Sequence, residues 1–214
     1  MLDKIIQLTS STNIYYNKRK ENKPAMYNIT QEQPILNLPH NYAYKNKIYI
    51  LDEITVENTS RLLADISEMI EYERCHSLMI EWYINSPGGE VDACKSLLSM
   101  MKIANLQGIE NSTYVLGNAA SSASILAISG NTRYIMSYGS HYIHYGNSTK
   151  FSAHPIEAKR NYKDDQIFYD WVKSMYLEKT EIPEDKLDAL IEHEGGFLYP
   201  KDCLKYKFVE YIID

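Results

Sequence analysis

Apolar positions along this chain switch between two periods. "KIYIL" (47–51) alternates as a strand does, whereas "TVENTSRLLADISEMIEYE" places Leu62, Ile66, Met69 and Ile70 three and four apart, the spacing of a helix face. Thr55 is a plausible N-cap for that helix, because its hydroxyl can accept from an orphan backbone N–H. "SLMIEWYIN" (77–85) reads as a second strand, and "GEVDACKSLLSMMKIA" puts Val91, Cys94, Leu98 and Met101 on one face of a second helix. "STYVLGN" predicts a third strand and "SSASILAIS" a short buried helix, and "TRYIM" and "HYIHYG" predict two more strands. Residues 155–179 predict a long polar helix with a stripe of Phe168, Trp171, Val172 and Met175. Short helices near 184–193 and 200–206 and a strand "FVEYII" complete the pattern. Strands that alternate with helices predict an α/β domain built from crossover units.

Residues 1–42 lack sustained periodicity and hold the basic patch "NKRKENK" and two prolines in "QEQPILNLPHN". They read as an extended arm, either a loosely attached tail or a partner-binding segment, ahead of a domain over 43–214. The full 214 residues suffice for one substantial core. A net charge of −6 argues against a general nucleic-acid binder and against an anionic membrane surface. No run reaches the ~18 apolar residues of a membrane span, and the N-terminus has no signal-like apolar core. Three cysteines, Cys75, Cys94 and Cys203, follow no metal spacing and suit a reducing compartment, so a cytoplasmic location is expected. The 19 tyrosines are too many to bury and suggest interfaces.

Three stretches carry chemistry. In "INSPGGEV" (84–91) a strand runs into Gly88 and Gly89 just before a helix, a turn that leaves amides exposed as an anion or oxyanion site. An ordinary strand-to-helix turn has the same pattern, and no Lys-Ser/Thr follows to make a phosphate loop. In "YVLGNAASSASILAISG" (114–130) Ser121 falls at a helix start, where free amides favour a developing oxyanion. Close packing of small residues is the competing explanation, and the G-x-S-x-G elbow is absent. In "HYIHYG", His144 is the base such a serine would need, with His141 its competitor on the opposite strand face.

In this order, these stretches resemble the ClpP family of self-compartmentalised serine peptidases, within the crotonase-like superfamily. "YINSPGG" matches the family's glycine motif and "GNAAS" its nucleophile motif, G-x-A-A-S. "YIHYG" matches its histidine strand in part, with Tyr145-Gly146 where Gln-Pro is common, and "FLYPKDCLKYKFVEYI" is similar to its C-terminal helix and strand. The resemblance runs from about residue 43 to 213. It implies repeated β-β-α crossover units with a protruding long handle helix, here 155–179. It also implies Ser121 as nucleophile, His144 as general base and acid, and the backbone N–H groups of Gly89 and Ser122 as oxyanion donors. An extended substrate would pair with Gly88–Val91 on one side and with Gly146–Thr149 on the other. The family's third member is an aspartate, and "LIEHEGGFLYP" has none; Glu194 lies closest to the expected position, with Asp188 second.

The same resemblance implies a serine endopeptidase acting on unfolded proteins and peptides inside two stacked heptameric rings, with no metal or organic cofactor. Phe168, Trp171 and Met175 would join the rings, unless they face only their own core. A separate AAA+ unfoldase would dock near Tyr83, although Glu81 replaces an apolar residue common there. Two alternatives stay open. One is an inactive or weak ring subunit, which the missing aspartate favours. The other is a prohead-type processing peptidase working without an ATPase, which the unusual arm favours. An acyl-CoA enzyme of the crotonase type would need no Ser/His pair.

Overall fold

In the computed structural model of this chain, the described residues are 41–76, 79–144, 146, 155–192 and 195–214. They form a mixed α/β fold: strands β1 (Asn41–Tyr44) and β2 (Lys47–Ile50), helix α1 (Val56–His76), β3 (Ile80–Ser86), α2 (Val91–Leu106), β4 (Asn111–Ala120), α3 (Ser122–Ala127), β5 (Thr132–Met136), β6 (Ser140–Ile143), α4 (Pro155–Lys179), α5 (Glu184–Glu192), β7 (Gly196–Leu198), α6 (Pro200–Lys205) and β8 (Tyr211–Ile213). Two short strands escaped the sequence pattern. β1 straddles residue 42, where the arm was expected to end, and β7 interrupts the segment between the last two short helices.

One sheet runs in the order β1-β2-β3-β4-β5-β8, parallel from β2 onward, with β1 antiparallel at one edge. β4 is long enough to serve two partners. Its residues Ser112–Val115 pair with β5, and Asn118–Ala120 pair with β6, which in turn holds β7 antiparallel. A ledge of β6 and β7 therefore leaves the main sheet where β4 delivers Ala120 to the next helix.

Period-two alternation sorts the side chains. Ile48, Ile80, Trp82, Ile84, Val115 and Ile135 are buried in a core completed by Leu62 and Ile66 of α1, Cys94, Leu97 and Met101 of α2, and Val172 and Tyr176 of α4. Leu97 takes the place expected for Leu98, which is only half-buried. Buried Asn111 accepts from Trp82 Nε1 (2.8 Å) and donates to the Met101 carbonyl (3.1 Å), tying β3, β4 and α2 together.

The opposite residues of the same strands form a ladder of stacked rings. Tyr42, Tyr49, Tyr83, Tyr114, Tyr134 and Tyr211 follow one another across the sheet with centroids 4.6, 5.2, 4.9, 4.6 and 5.0 Å apart. At its middle, Lys47 Nζ lies 3.1 Å from the Tyr83 hydroxyl and 3.2 Å from Glu81. The tyrosine excess thus has a structural location. Among the described residues no helix is long and apolar enough to cross a membrane.

Candidate active site

The site begins with the glycine turn after β3. Thr55 caps α1 as expected: its Oγ1 accepts from Asn58 N–H (3.2 Å), and Asn58 Oδ1 accepts from Thr55 N–H (3.0 Å). This reciprocal pair fixes the backbone next to Ile54. Ile54 N–H donates to the Gly88 carbonyl and Glu90 N–H to the Ile54 carbonyl, both at 2.7 Å, a parallel bridge centred on Gly89. Gly88 and Glu90 thus face Ile54, so the N–H and carbonyl of Gly89 face the other way. On that other side Ser122 Oγ donates to the Gly89 carbonyl (3.3 Å).

Both glycines are required. Gly88 has φ +90, and a Cβ there would lie 2.7 Å from Ser121 Cβ and 3.0 Å from Ser122 N. Gly89 has φ +145, and a Cβ there would run into the Ile54 carbonyl. Ser86 completes the turn: its Oγ donates to the Asp52 carbonyl (2.7 Å) and accepts from Gly88 N–H (3.1 Å). The roles of Ser86 and Ile54 are not visible locally in the chain, because each acts on a partner more than thirty residues away, Asp52 for Ser86 and Gly88 and Glu90 for Ile54.

Ser121 sits where β4 becomes α3, with φ 53 and ψ −127. That conformation is strained for a residue with a Cβ, and such strain persists only where surrounding contacts over-determine it. Two contacts do so: Gly88 packs on Ser121 Cβ, and Ser121 N–H donates to the Tyr142 carbonyl at 2.8 Å. The elbow absent from the motif is present in the backbone. The first hydrogen bond within α3 runs from Ser124 N–H to the Ser121 carbonyl (2.9 Å), which leaves the Ser122 N–H among the orphan donors of the helix start.

β6 supplies the histidines and separates them. His141 is fully buried: Ser124 Oγ lies 2.9 Å from its Nδ1, and Phe208 meets its ring edge-on at 5.3 Å. Burial, with a smaller contribution from Arg133, pulls its pKa down to about 3. It is a core group. His144 lies just past the strand end, half-buried, and burial lowers its pKa from the ordinary histidine value too. Ala120 pairs with Tyr142 in the parallel register, and the Ser121–Tyr142 hydrogen bond continues it. Beyond that bond the ladder stops, because the Ser121 carbonyl accepts from Ser124 N–H at the helix start.

Of the other expected site residues, Val91 opens α2 and is half-buried, and Gly146 has φ +85. Glu194 lies outside the described residues, as do 147–149 of the expected second substrate strand. Asp188 is engaged elsewhere: Lys173 Nζ lies 2.7 Å from its carboxylate, and the Tyr169 hydroxyl donates to it at 3.4 Å.

A protein-family model, "Clp protease", matches residues 32–214. The chain belongs to the Clp protease family. The family match begins ten residues before the position expected for the end of the arm. A curated relative, "ATP-dependent Clp protease proteolytic subunit" of Deinococcus radiodurans, is 29% identical over 137 residues. That match covers 63% of this chain and 65% of the relative, so the chain matches a little under two thirds of the relative's length. Within this family, the glycine turn, the strained Ser121 and His144 are the features that the sequence motifs single out.

Proposed function

We propose that this chain is a serine endopeptidase in which Ser121 is the nucleophile and His144 the general base and acid. The observation that carries the proposal is the Ser121 conformation, φ 53 and ψ −127, held between the glycine turn and the β6 strand end. A core serine has no need of that backbone cost. In this mechanism Ser121 Oγ attacks a peptide carbonyl while His144 takes its proton. The N–H groups of Gly89 and Ser122 hold the tetrahedral oxyanion, His144 then protonates the leaving amine, and water releases the acyl group. The extended substrate pairs with the backbone of Gly88–Val91, whose free side the bridge to Ile54 leaves open. Glu194 is the proposed orienter of the imidazole.

The wider proposal places the domain at 43–214 behind an arm of 1–42, with crotonase-like repeated units, in stacked heptameric rings in the cytoplasm joined through α4 as a handle. Phe168, Trp171 and Met175 pack in part against this chain's own core, and only their remaining exposed surface is left for such a contact. The tyrosine ladder is the proposed dock for an AAA+ unfoldase, a face on which Glu81 and Lys47 add a polar spot.

A second reading, a weak or inactive ring subunit, is favoured by one feature of the sequence: "LIEHEGGFLYP" has no aspartate where the family has one. Labelling purified protein with a fluorophosphonate and reading intact mass separates the two. An activated serine gives one adduct that disappears in Ser121→Ala. Assembled, folded protein that takes up no adduct overturns the proposal.

A further inference from the structure

Tyr142 touches both Ser121 and His144. Its carbonyl accepts from Ser121 N–H at 2.8 Å. Its side chain lies two residues before His144, hence on the same side of the strand, and the two rings are 5.4 Å apart with planes 32° from parallel. From the neighbouring strand Phe197 stands opposite Tyr142 in register, its ring 4.7 Å away. The tyrosine ring therefore touches both Phe197 and the His144 imidazole, a clamp of three neighbouring rings.

Gly195 explains how that clamp fits. It has φ +91, and a Cβ there would collide with the Tyr142 hydroxyl and stand 2.9 Å from His144 Cβ. Residue 195 must then be glycine for two reasons, its backbone and its neighbours. The Tyr142 hydroxyl fills the space beside His144 that any side chain at 195 would claim.

We infer that Tyr142 is a positioning residue for His144: its ring, in contact with both Phe197 and the imidazole and admitted by Gly195, fixes the orientation in which His144 meets Ser121. An imidazole packed against a neighbouring ring loses rotational freedom without needing a charge beside it, and a base misplaced by about 1 Å costs about 10²-fold. The inference rests on the serine-peptidase reading for its consequence in rate, but the ring contact stands apart from it.

The test uses the full-length assembled protein with histidine labelled at Cε1, the His144 signal being identified by its loss in His144→Gln. Wild type, Tyr142→Phe, Tyr142→Ala and Gly195→Ala are compared by NMR and by the rate of fluorophosphonate labelling. Phe preserves the ring, so Tyr142→Phe should keep the wild-type His144 resonance and the labelling rate within about twofold. Tyr142→Ala removes the ring current and the clamp; the resonance should move toward that of an unstructured histidine, and labelling should fall roughly 10–100-fold. Gly195→Ala, which pushes the ring aside, should shift the same resonance. Wild-type resonance and rate in Tyr142→Ala would overturn the inference, and so would Tyr142→Phe behaving like Tyr142→Ala, which assigns the role to the hydroxyl. A resonance that responds as described in a wild type that takes up no label would overturn the peptidase reading and keep the positioning contact.

Discussion

The Ser121 N–H donates to the Tyr142 carbonyl at 2.8 Å, and this hydrogen bond ties the serine to β6 two residues before His144, which lies just past the strand end. It extends the β4–β6 ladder one residue beyond Ala120, so the chain turns into α3 with its strained residue already fixed. The same bond engages the Ser121 N–H, which is consistent with the proposed oxyanion donors being Gly89 and Ser122.

The glycine turn should tolerate no side chain. Gly89→Ala puts a Cβ into the Ile54 carbonyl at a φ of +145. Backbone strain of about 1–3 kcal/mol is expected, roughly 2–10 °C in melting temperature for a chain of this size. Fluorophosphonate labelling should fall at least tenfold if the turn carries the proposed oxyanion donor. Thermal melts alongside labelling check this; an unshifted melt with full labelling contradicts the geometry.

His141 predicts an acid-sensitive core. Its pKa in the fold is about 3, well below the ordinary histidine value. Between pH 6.5 and about 3 the unfolded chain binds a proton that the folded chain does not, so stability falls as pH falls through that window. From pH 6.5 to pH 5 the loss is roughly 2 kcal/mol from this residue. His144 is shifted in the same direction, so the comparison that isolates His141 is wild type against His141→Gln. Urea denaturation at pH 7 and pH 5 should show a smaller pH difference in the variant. Equal differences would place the acid sensitivity elsewhere.

The tyrosine ladder predicts distance-dependent coupling. Tyr83 and Tyr114 stack at 4.9 Å, whereas Tyr42 and Tyr211 stand at opposite ends of the series. A double-mutant cycle to alanine should give about 0.5–1.5 kcal/mol for the adjacent pair and about zero for the terminal pair. Chemical denaturation of the two cycles measures both.

Arg133 should be the most costly charged residue to lose near the C-terminal strand. Its guanidinium grips the Glu210 carboxylate and donates to the Lys179 carbonyl (2.6 Å) and the Ile128 carbonyl (3.2 Å). It joins β5, the end of α4 and the lead into β8. Arg133→Ala leaves those acceptors unpaired in a partly buried place, a loss of about 2–3 kcal/mol by denaturation. Arg133→Lys should recover only part, since lysine lacks the planar fork.

Much of the fold was legible because periodicity is a local property. The long helix 155–179, the strand Thr132–Met136 and the Thr55 cap follow from spacing within a few residues. β1 and β7 were not legible, being four and three residues long and held by pairing rather than by pattern. The face of α2 was read one residue off, because Leu97 and Leu98 are both apolar and only packing chooses between them.

The sequence by itself determined which chemistry is available. A serine at a strand-to-helix junction, paired glycines before another helix and two histidines on one short strand are written in residue types and neighbours. Tertiary structure decided which of them meet. It buried His141 against Ser124 and Phe208, left His144 at the strand end, turned Asp188 toward Lys173, and set Tyr142 against both His144 and Phe197. Those outcomes depend on contacts between residues far apart in the chain, such as Ser121 with Tyr142 and Tyr142 with Gly195. A strand's two faces are equivalent until the rest of the fold covers one of them.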